Sequence, residues 1–288
     1  MKGSWQEDPA FFNDLFDLLD RIFPGVRGGA EDIRRYGVSW ESVSTPFVLY
    51  RGGRVVSHVG VIGLPLILGG RPARVGSVHA VATDPDHRRK GYYRALMEEA
   101  IEDSAGRFDT LILTTENPEY YEPFGFRRIG EHRFVTVRRS RGREGALRVL
   151  DLGDAADIAL LHRLLETREP VSRILGVVNE KTVFLFNEGH RSLHYAEDLD
   201  AVLCVEREGT RLRLYDVVAP ELPGLDAILE SIPGPVEETV FFFTPDRLTR
   251  EARAEPRLFQ YGGPSYLMAR GPFAAEGIPF ALPRSVRT

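Results

Sequence analysis

Near the start of the chain, apolar residues recur at helical spacing. Phe12, Leu15, Phe16, Leu19 and Phe23 share one face, with Asp8 set to cap the helix and Pro9 to open it. That spacing predicts a helix docked on a sheet. The pattern then changes to strand-like runs at Phe47 to Arg51, Arg54 to Leu68 and Arg71 to Thr83. Between them stand Gly52-Gly53 and Gly69-Gly70, so the three runs read as an antiparallel meander. Helical period returns from Gly91 to Ala105: Tyr93, Leu96, Met97, Ala100 and Ile101 form an apolar face opposite Arg94, Glu98, Glu99, Glu102 and Asp103. A buried strand over Asp109 to Thr115 and a further strand over His132 to Arg138 follow.

Residues 139–146 are polar, contain glycine and show no apolar period, which sets a boundary between a unit at 1–138 and a second at 148–288. The second unit opens with a helix near Asp154 to Thr167, carrying Ile158, Leu161 and Leu165 on one face. Strand-like runs follow at 182–187, 199–207 and 211–219, with Glu208-Gly209 as a hairpin turn. A helix around Leu222 to Ser231 and strands at Val236 to Phe243 and Ser265 to Arg270 complete it. This order of elements echoes the first unit and predicts a diverged tandem duplication, without any repeat at the level of residues. The fold class expected is α/β of the α+β kind: a mixed, mostly antiparallel sheet flanked by helices, with a second similar domain.

Composition narrows the choice of function. In 288 residues, 43% hydrophobic and 27% charged residues are a globular balance able to bury a core. A formal charge of -5 argues against a nucleic-acid partner, because phosphate-tracking proteins carry a basic surplus that releases counterions. Any phosphate ligand is then met locally. The single cysteine, Cys204, excludes an internal disulfide framework; within Ala201 to Val205 it reads as a buried, inert thiol. The first residues lack the apolar core of a signal peptide, and no run reaches the roughly 18 apolar residues that span a bilayer. A cytoplasmic protein without membrane partners is expected. His58, His87, His132, His162, His190 and His194 show no metal-ligand spacing, so no metal is expected.

The segment that carries chemistry runs from Val81 through Asp84-Pro-Asp-His-Arg88-Arg89-Lys90-Gly91 into Tyr92-Tyr93-Arg94: a strand, a basic turn with a glycine, then a helix. Backbone N–H groups at such a helix start have no internal partner, and the helix dipole adds positive charge there, which suits a pyrophosphate. Gly91 lets the backbone approach closely, while Arg88, Arg89 and Lys90 reach a pyrophosphate or a 3′-phosphate. A bare Arg-Arg-Lys run is more often a solvated face; its place at a strand-to-helix turn favours the ligand. A second element, Asn117 to Tyr121 followed by Gly125-Phe126, comes directly after the buried strand.

With both elements in hand, the chain resembles the GNAT superfamily of N-acetyltransferases, in element order over about residues 8–138 and in motif between 81 and 126. The family's Arg/Gln-x-x-Gly-x-Gly/Ala turn falls on Arg88, Gly91 and Tyr93, where tyrosine replaces the usual small residue. The family's tyrosine, four residues before the glycine of a Gly-Phe pair, falls on Tyr121. The resemblance implies acetyl-CoA as cosubstrate, bound by Val81, Ala82, Thr83, Arg88, Arg89, Lys90, Gly91, Tyr92 and Tyr93. It also implies direct attack by an amine acceptor, N–H groups near Val81 to Thr83 holding the thioester carbonyl, and Tyr121 protonating the thiolate, with Tyr120 as fallback. Glu116 is the candidate base, directly or through water; His79, on the strand that would hold the thioester, is a second candidate. Ordinary roles compete with each: an interface tyrosine, a strand-end carboxylate, a packed histidine.

In the second unit, Arg211 to Ala219 resembles the matching GNAT strand, but Pro220-Glu-Leu-Pro-Gly-Leu-Asp226 stands where the phosphate turn belongs, so this half is expected to be degenerate. It resembles the tandem arrangement of acetyltransferases of the enhanced-intracellular-survival type. The expected role is to shape an acceptor pocket, together with Phe280 to Thr288. A small molecule or a peptide can supply the amine, and the chain is a monomer or a homodimer. The rival to the enzyme is a non-catalytic acyl-CoA-binding sensor or interaction protein.

Overall fold

The computed structural model describes Trp5, residues 10–261 and residues 263–288. Asp8 and Pro9 lie outside them. Helix α1 (Phe11–Ile22) buries Phe11, Leu15, Phe16, Leu18 and Leu19, while Phe23, expected on this face, follows the helix and stays exposed. Helix α2 (Val26–Arg35) packs against α1 and was not foreseen. Strands β1 (Ser44–Arg51), β2 (Arg54–Leu68) and β3 (Arg71–Thr83) form the antiparallel meander, turning at glycines with positive φ. Helix α3 (Tyr92–Ser104) crosses one face and β4 (Thr110–Thr115) returns parallel to β3. Three strands meet as expected and a fourth joins by a crossover.

The rest of the chain runs β5 (Arg127–Ile129), β6 (Glu131–Ser140), β7 (Arg148–Val149), α4 (Ala155–Thr167), β8 (Leu175–Val177), α5 (Thr182–Glu188), β9 (His194–Ala196) and β10 (Ala201–Glu208). It ends with β11 (Arg211–Val218), α6 (Leu225–Ser231), β12 (Val236–Phe241), β13 (Arg253–Arg257), β14 (Phe259–Tyr261) and β15 (Gly263–Arg270). The run at 182–187, expected as a strand, is helix α5. Both carboxylate oxygens of Glu180 accept backbone N–H groups of its first turn, from Val183 at 2.9 Å and Phe184 at 2.8 Å. That cap overrides the β-propensity of Val183-Phe184-Leu185.

Among the described residues the first sheet has eight strands in the order β1-β2-β3-β4-β15-β14, with β5 pairing β15 and β8 pairing β2. The second has seven, ordered β13-β6-β12-β11-β10-β9-β7. Relative to the boundary expected at 139–146, β6 joins the other sheet in one direction and β8, β14 and β15 in the other. Strand β6, expected in the first unit, pairs with β12 and β13 of the second sheet. Strand β15, expected to complete the second, pairs with β4 from Tyr266 opposite Thr115 to Arg270 opposite Leu111. Buried β4 needs a hydrogen-bonding neighbour on each edge, and β15 supplies the outer one. The two sheets repeat one pattern: an antiparallel meander, a crossover helix, a parallel strand, then an antiparallel strand contributed from across the boundary.

The last residues fasten the sheets together. Phe280, Ala281, Leu282, Ser285 and Val286 are buried. Asn187 Nδ2 donates to the carbonyls of Arg284 and Arg287 at 3.0 and 2.8 Å, and Arg284 makes a two-pronged pair with Glu188 at 2.8 Å on each nitrogen. At the end of the segment the hydroxyls of Thr288 and Ser77 on β3 hydrogen bond. No helix among the described residues is long and apolar enough to cross a membrane.

Exchange of β6 and β15 makes the sheets interdependent for folding. Leu267→Ala in β15 and Leu214→Ala in β11 each empty a buried site and are expected to lower one shared unfolding transition by about 2–5 kcal/mol. Hydrogen exchange followed through denaturation checks this: two separable transitions, each moved by one substitution, would contradict it.

Candidate active site

Strands β3 and β4 pair only from Val75 opposite Thr110 to Ser77 opposite Ile112. Beyond that point β3 runs on to Thr83 against β2, and β4 runs on to Thr115 against β15. The strands have separated, leaving a wedge of backbone between Val78 to Thr83 and Leu113 to Thr115. On the β3 side the ladder is also bulged, with its register shifting between His58 and Gly60 of β2, and Ala80 has φ 49. A bulge at the mouth of an open wedge is a natural place for backbone groups that serve a ligand.

The basic turn sits at the end of β3. Asp84 holds it: Asp84 Oδ1 accepts the Asp86 N–H at 2.9 Å, and Asp84 Oδ2 accepts from Arg21 of α1 at 2.7 Å. Arg88 Nε donates to Thr83 O at 3.3 Å, and Lys90 Nζ donates to Asp86 O at 2.9 Å. Arg88, Arg89 and Lys90 are exposed. Gly91, at φ 80, precedes α3, which starts without a side-chain cap among the described residues; none of their atoms lies within 4 Å of where a Cβ on Gly91 would stand. The first N–H groups of α3 are therefore left for a ligand or solvent.

Tyr93 turns toward the loop after β4. Its hydroxyl donates to Tyr120 O at 2.9 Å, and its ring meets Tyr121 and Phe124 edge-on at 6.1 and 5.5 Å. The bulky side chain thus supports the loop after β4 and leaves its own N–H at the helix start. That loop consists of two single turns, Pro118–Tyr120 and Glu122–Phe124, in place of a longer helix. Tyr121 also packs on Phe126, edge to face at 6.2 Å. Burial pushes its phenol up to about 12, against a smaller opposing pull from the Thr115 hydroxyl. It stays protonated across the working range. Val81, Tyr93 and Tyr121 all pack on one apolar core beneath α3, with Phe47, Leu96, Met97 and Leu113.

The remaining candidates stand apart from that group. Glu116 is exposed and lies over Gly263 of β15, on the outer side of β4; a Cβ there would meet its carboxylate at 3.3 Å. Tyr120 is exposed. His79 occupies the opposite face of the sheet, stacked on Trp40 at 5.2 Å, with Nε2 2.9 Å from Ser44 Oγ. Burial, then the neighbouring His58, lowers its pKa to about 3, and burial lowers that of His58 to about 4. Cys204 is buried, its thiol pushed well up by burial, as expected of an inert residue. Two residues outside the expected site reach the bulge from β2: Ser57 Oγ donates to Ala82 O at 3.1 Å, and His58 Nδ1 lies 2.7 Å from Ala80 O. Their only signal was a register between β2 and β3.

A cavity of about 600 Å³, lined by residues including Pro65, Arg74, Phe108 and Glu180, lies near the opposite end of the β3–β4 ladder. Its charges are already matched: Arg74 with Asp109, Lys181 with Glu166, and Glu180 with the α5 N–H groups. The wedge, where β3 and β4 no longer pair beside the start of α3, is the better candidate site.

Residues 8–129 match the family model described as an acetyltransferase (GNAT) domain. The fold agrees. A probable N-acyltransferase from Enterococcus faecalis V583 superposes with a TM-score of 0.57 at 17% identity, covering 94% of this chain and 71% of that one. A GCN5-related N-acetyltransferase from Kribbella flavida gives 0.52 at 19% identity over 89% and 67% of the two chains. Another from Anabaena variabilis ATCC 29413 gives 0.52 at 15% identity over 93% and 71%. No curated protein matches the chain in sequence.

The histidine pair generates a pH prediction. With folded pKa values below the usual 6.5, neutral His58 and His79 contribute stability that is present above about pH 6.5 and lost as pH falls through about 4 and 3. Urea midpoints at pH 7 and pH 4.5 are expected to fall less for His79→Gln than for the wild type. An equal fall would contradict it.

Proposed function

We propose that the protein transfers an acetyl group from acetyl-CoA directly to the nitrogen of an amine acceptor, in the cytoplasm. The observation that carries this reading is the wedge past Ser77 and Ile112, which opens beside the uncapped start of α3 and shares its core with Tyr121. The α3 N–H groups, with Arg88, Arg89, Lys90, Gly91, Tyr92 and the main chain of Tyr93, receive the pyrophosphate. The pantetheine arm lies in the wedge along Val81, Ala82 and Thr83.

In the transfer, the neutral amine attacks the thioester carbon and the carbonyl electron pair moves to oxygen, where backbone N–H groups of β3 meet the growing charge. The oxygen's electron pair then returns to re-form the carbonyl as the C–S bond breaks, and the departing thiolate takes the Tyr121 proton, which burial has kept on the phenol. The ammonium loses its proton through water to exposed Glu116; His79 at about 3 is too weak a base. Turned into the loop after β4, the Tyr93 ring leaves the main chain at the start of α3 open to the ligand.

We read the second sheet as a duplicated, degenerate copy without a cofactor. Its parallel pair also separates, after Leu214 opposite Phe241, but the edge of β11 beyond is occupied by the chain itself. Arg168 donates to Val217 O at 3.0 Å and pairs with buried Asp216, and Glu169 N donates to Ala219 O at 2.8 Å. This half and the segment 280–288 wall the acceptor side of the first sheet.

Calorimetry with acetyl-CoA tests the cofactor site. Arg88→Ala is expected to weaken binding about tenfold, as loss of one exposed charge-assisted contact does, and Gly91→Asp to abolish it by placing a negative side chain at positive φ beside the phosphates. A folded wild type that binds no acetyl-CoA would contradict the reading. Against a panel of amines, Tyr121→Phe is expected to lower kcat about 100-fold with little change in KM for acetyl-CoA; an unchanged kcat would remove Tyr121 from the mechanism.

A further inference from the structure

Two peptide planes of β3 are turned by side chains of β2. A carbonyl can only accept, so at 2.7 Å from Ala80 O the His58 Nδ1 carries the proton and donates. One residue earlier on β2, the Ser57 hydroxyl donates to Ala82 O. A trans peptide is planar, and its N–H points opposite to its carbonyl. With the oxygens of Ala80 and Ala82 drawn toward β2, the N–H groups of Val81 and Thr83 point away from it, into the wedge that β4 has left open. The ladder agrees: Asp84 N donates to Val56 O at 2.9 Å, which leaves Thr83 at an outward-facing position of the antiparallel register.

Ala80 is where an orienting bond matters most. At φ 49 it holds a conformation that costs a non-glycine residue energy and that persists only where its surroundings fix it. His58 is 1% exposed, and its Nε2 has no hydrogen-bond partner among the described residues, so Ala80 O is the one polar atom that anchors the ring. Burial keeps the ring neutral, with its pKa lowered to about 4, so a change of charge does not disturb the Nδ1–H at working pH.

We propose that His58 is a positioning residue for acyl transfer: by holding the Ala80 carbonyl it aims the Val81 N–H at the carbonyl oxygen of bound acetyl-CoA. This rests on the cofactor reading above. The donor itself is main chain, so no substitution at Val81 would reveal it, and the residue that sets its direction lies on the neighbouring strand.

Free CoA lacks the acetyl carbonyl, so the ratio of acetyl-CoA to CoA affinity reads this contact without any acceptor. The wild type is expected to prefer acetyl-CoA. His58→Phe is expected to lower that ratio roughly three- to tenfold, the loss of one hydrogen bond, while CoA affinity stays the same. His58→Asn, whose amide can donate to Ala80 O, is expected to restore most of the preference. The stretching frequency of a ¹³C-labelled thioester carbonyl should be lowered in the bound wild type and Asn variant, and return toward its free value in His58→Phe. A His58→Phe protein with the wild-type ratio and frequency overturns the proposal, as does a wild type with no preference. If the wild type binds neither ligand, the cofactor reading falls and takes this proposal with it; if it binds both and the variants leave the ratio unmoved, only the role of His58 falls. The ¹⁵N shifts of the unsubstituted protein check it independently of folding: His58 must be the Nδ1–H tautomer, and an Nε2–H tautomer overturns it.

Discussion

Strands β3 and β4 run parallel for three residue pairs and then part after Ser77 and Ile112. A sheet that opens in its middle exposes unpaired N–H and C=O groups, and buried backbone must find partners elsewhere. On one side, Ser57 and His58 take the β3 carbonyls that face β2. On the other, β4 is completed along its outer edge by β15. The side of β3 that turns from β2 faces the wedge, at the same end of the sheet as the start of α3.

The need to complete β4 reaches across the whole chain. Because β15 comes from near the C-terminal end and β6 is given to the second sheet, neither sheet is made of contiguous chain. The two halves share a topology and differ in what fills the opening between their parallel strands. In the second, Arg168 and Asp216, with 1% and 0% of their side chains exposed, form a buried pair that the Ser285 hydroxyl joins at 2.6 Å. Leaving either charge alone there would be costly, so the pair, the segment after α4 and the 280–288 tail are held as one. That opening is closed from within.

Much of the first sheet was legible because its signals are local. Paired glycines end strands, an apolar period marks α3, and a glycine after basic residues marks the turn into that helix. The spacing to Gly125-Phe126 singled out Tyr121, which packs on Phe126 in the core beneath α3. What stayed hidden depends on partners distant in sequence. Nothing in the alternation of β6 or β15 names the sheet it joins, because a strand's own pattern fixes its faces and not its neighbour. The β-prone run at 182–187 became helix α5 through Glu180, a cap that propensity does not count. Ser57 and His58 read as ordinary strand residues, and only the register places them beside a bulge; likewise only the fold turns the Tyr93 ring into the loop after β4.

The central claim is that the opening between β3 and β4 receives the cofactor, and amide resonances recorded while CoA is titrated into the ¹⁵N-labelled protein test it most directly. The expected result is a change at Val81 and Thr83 together with Tyr92, Tyr93 and Arg94, at the two ends of one ligand. Changes confined to the cavity around Pro65, Arg74 and Glu180, with the wedge amides unmoved, would contradict it.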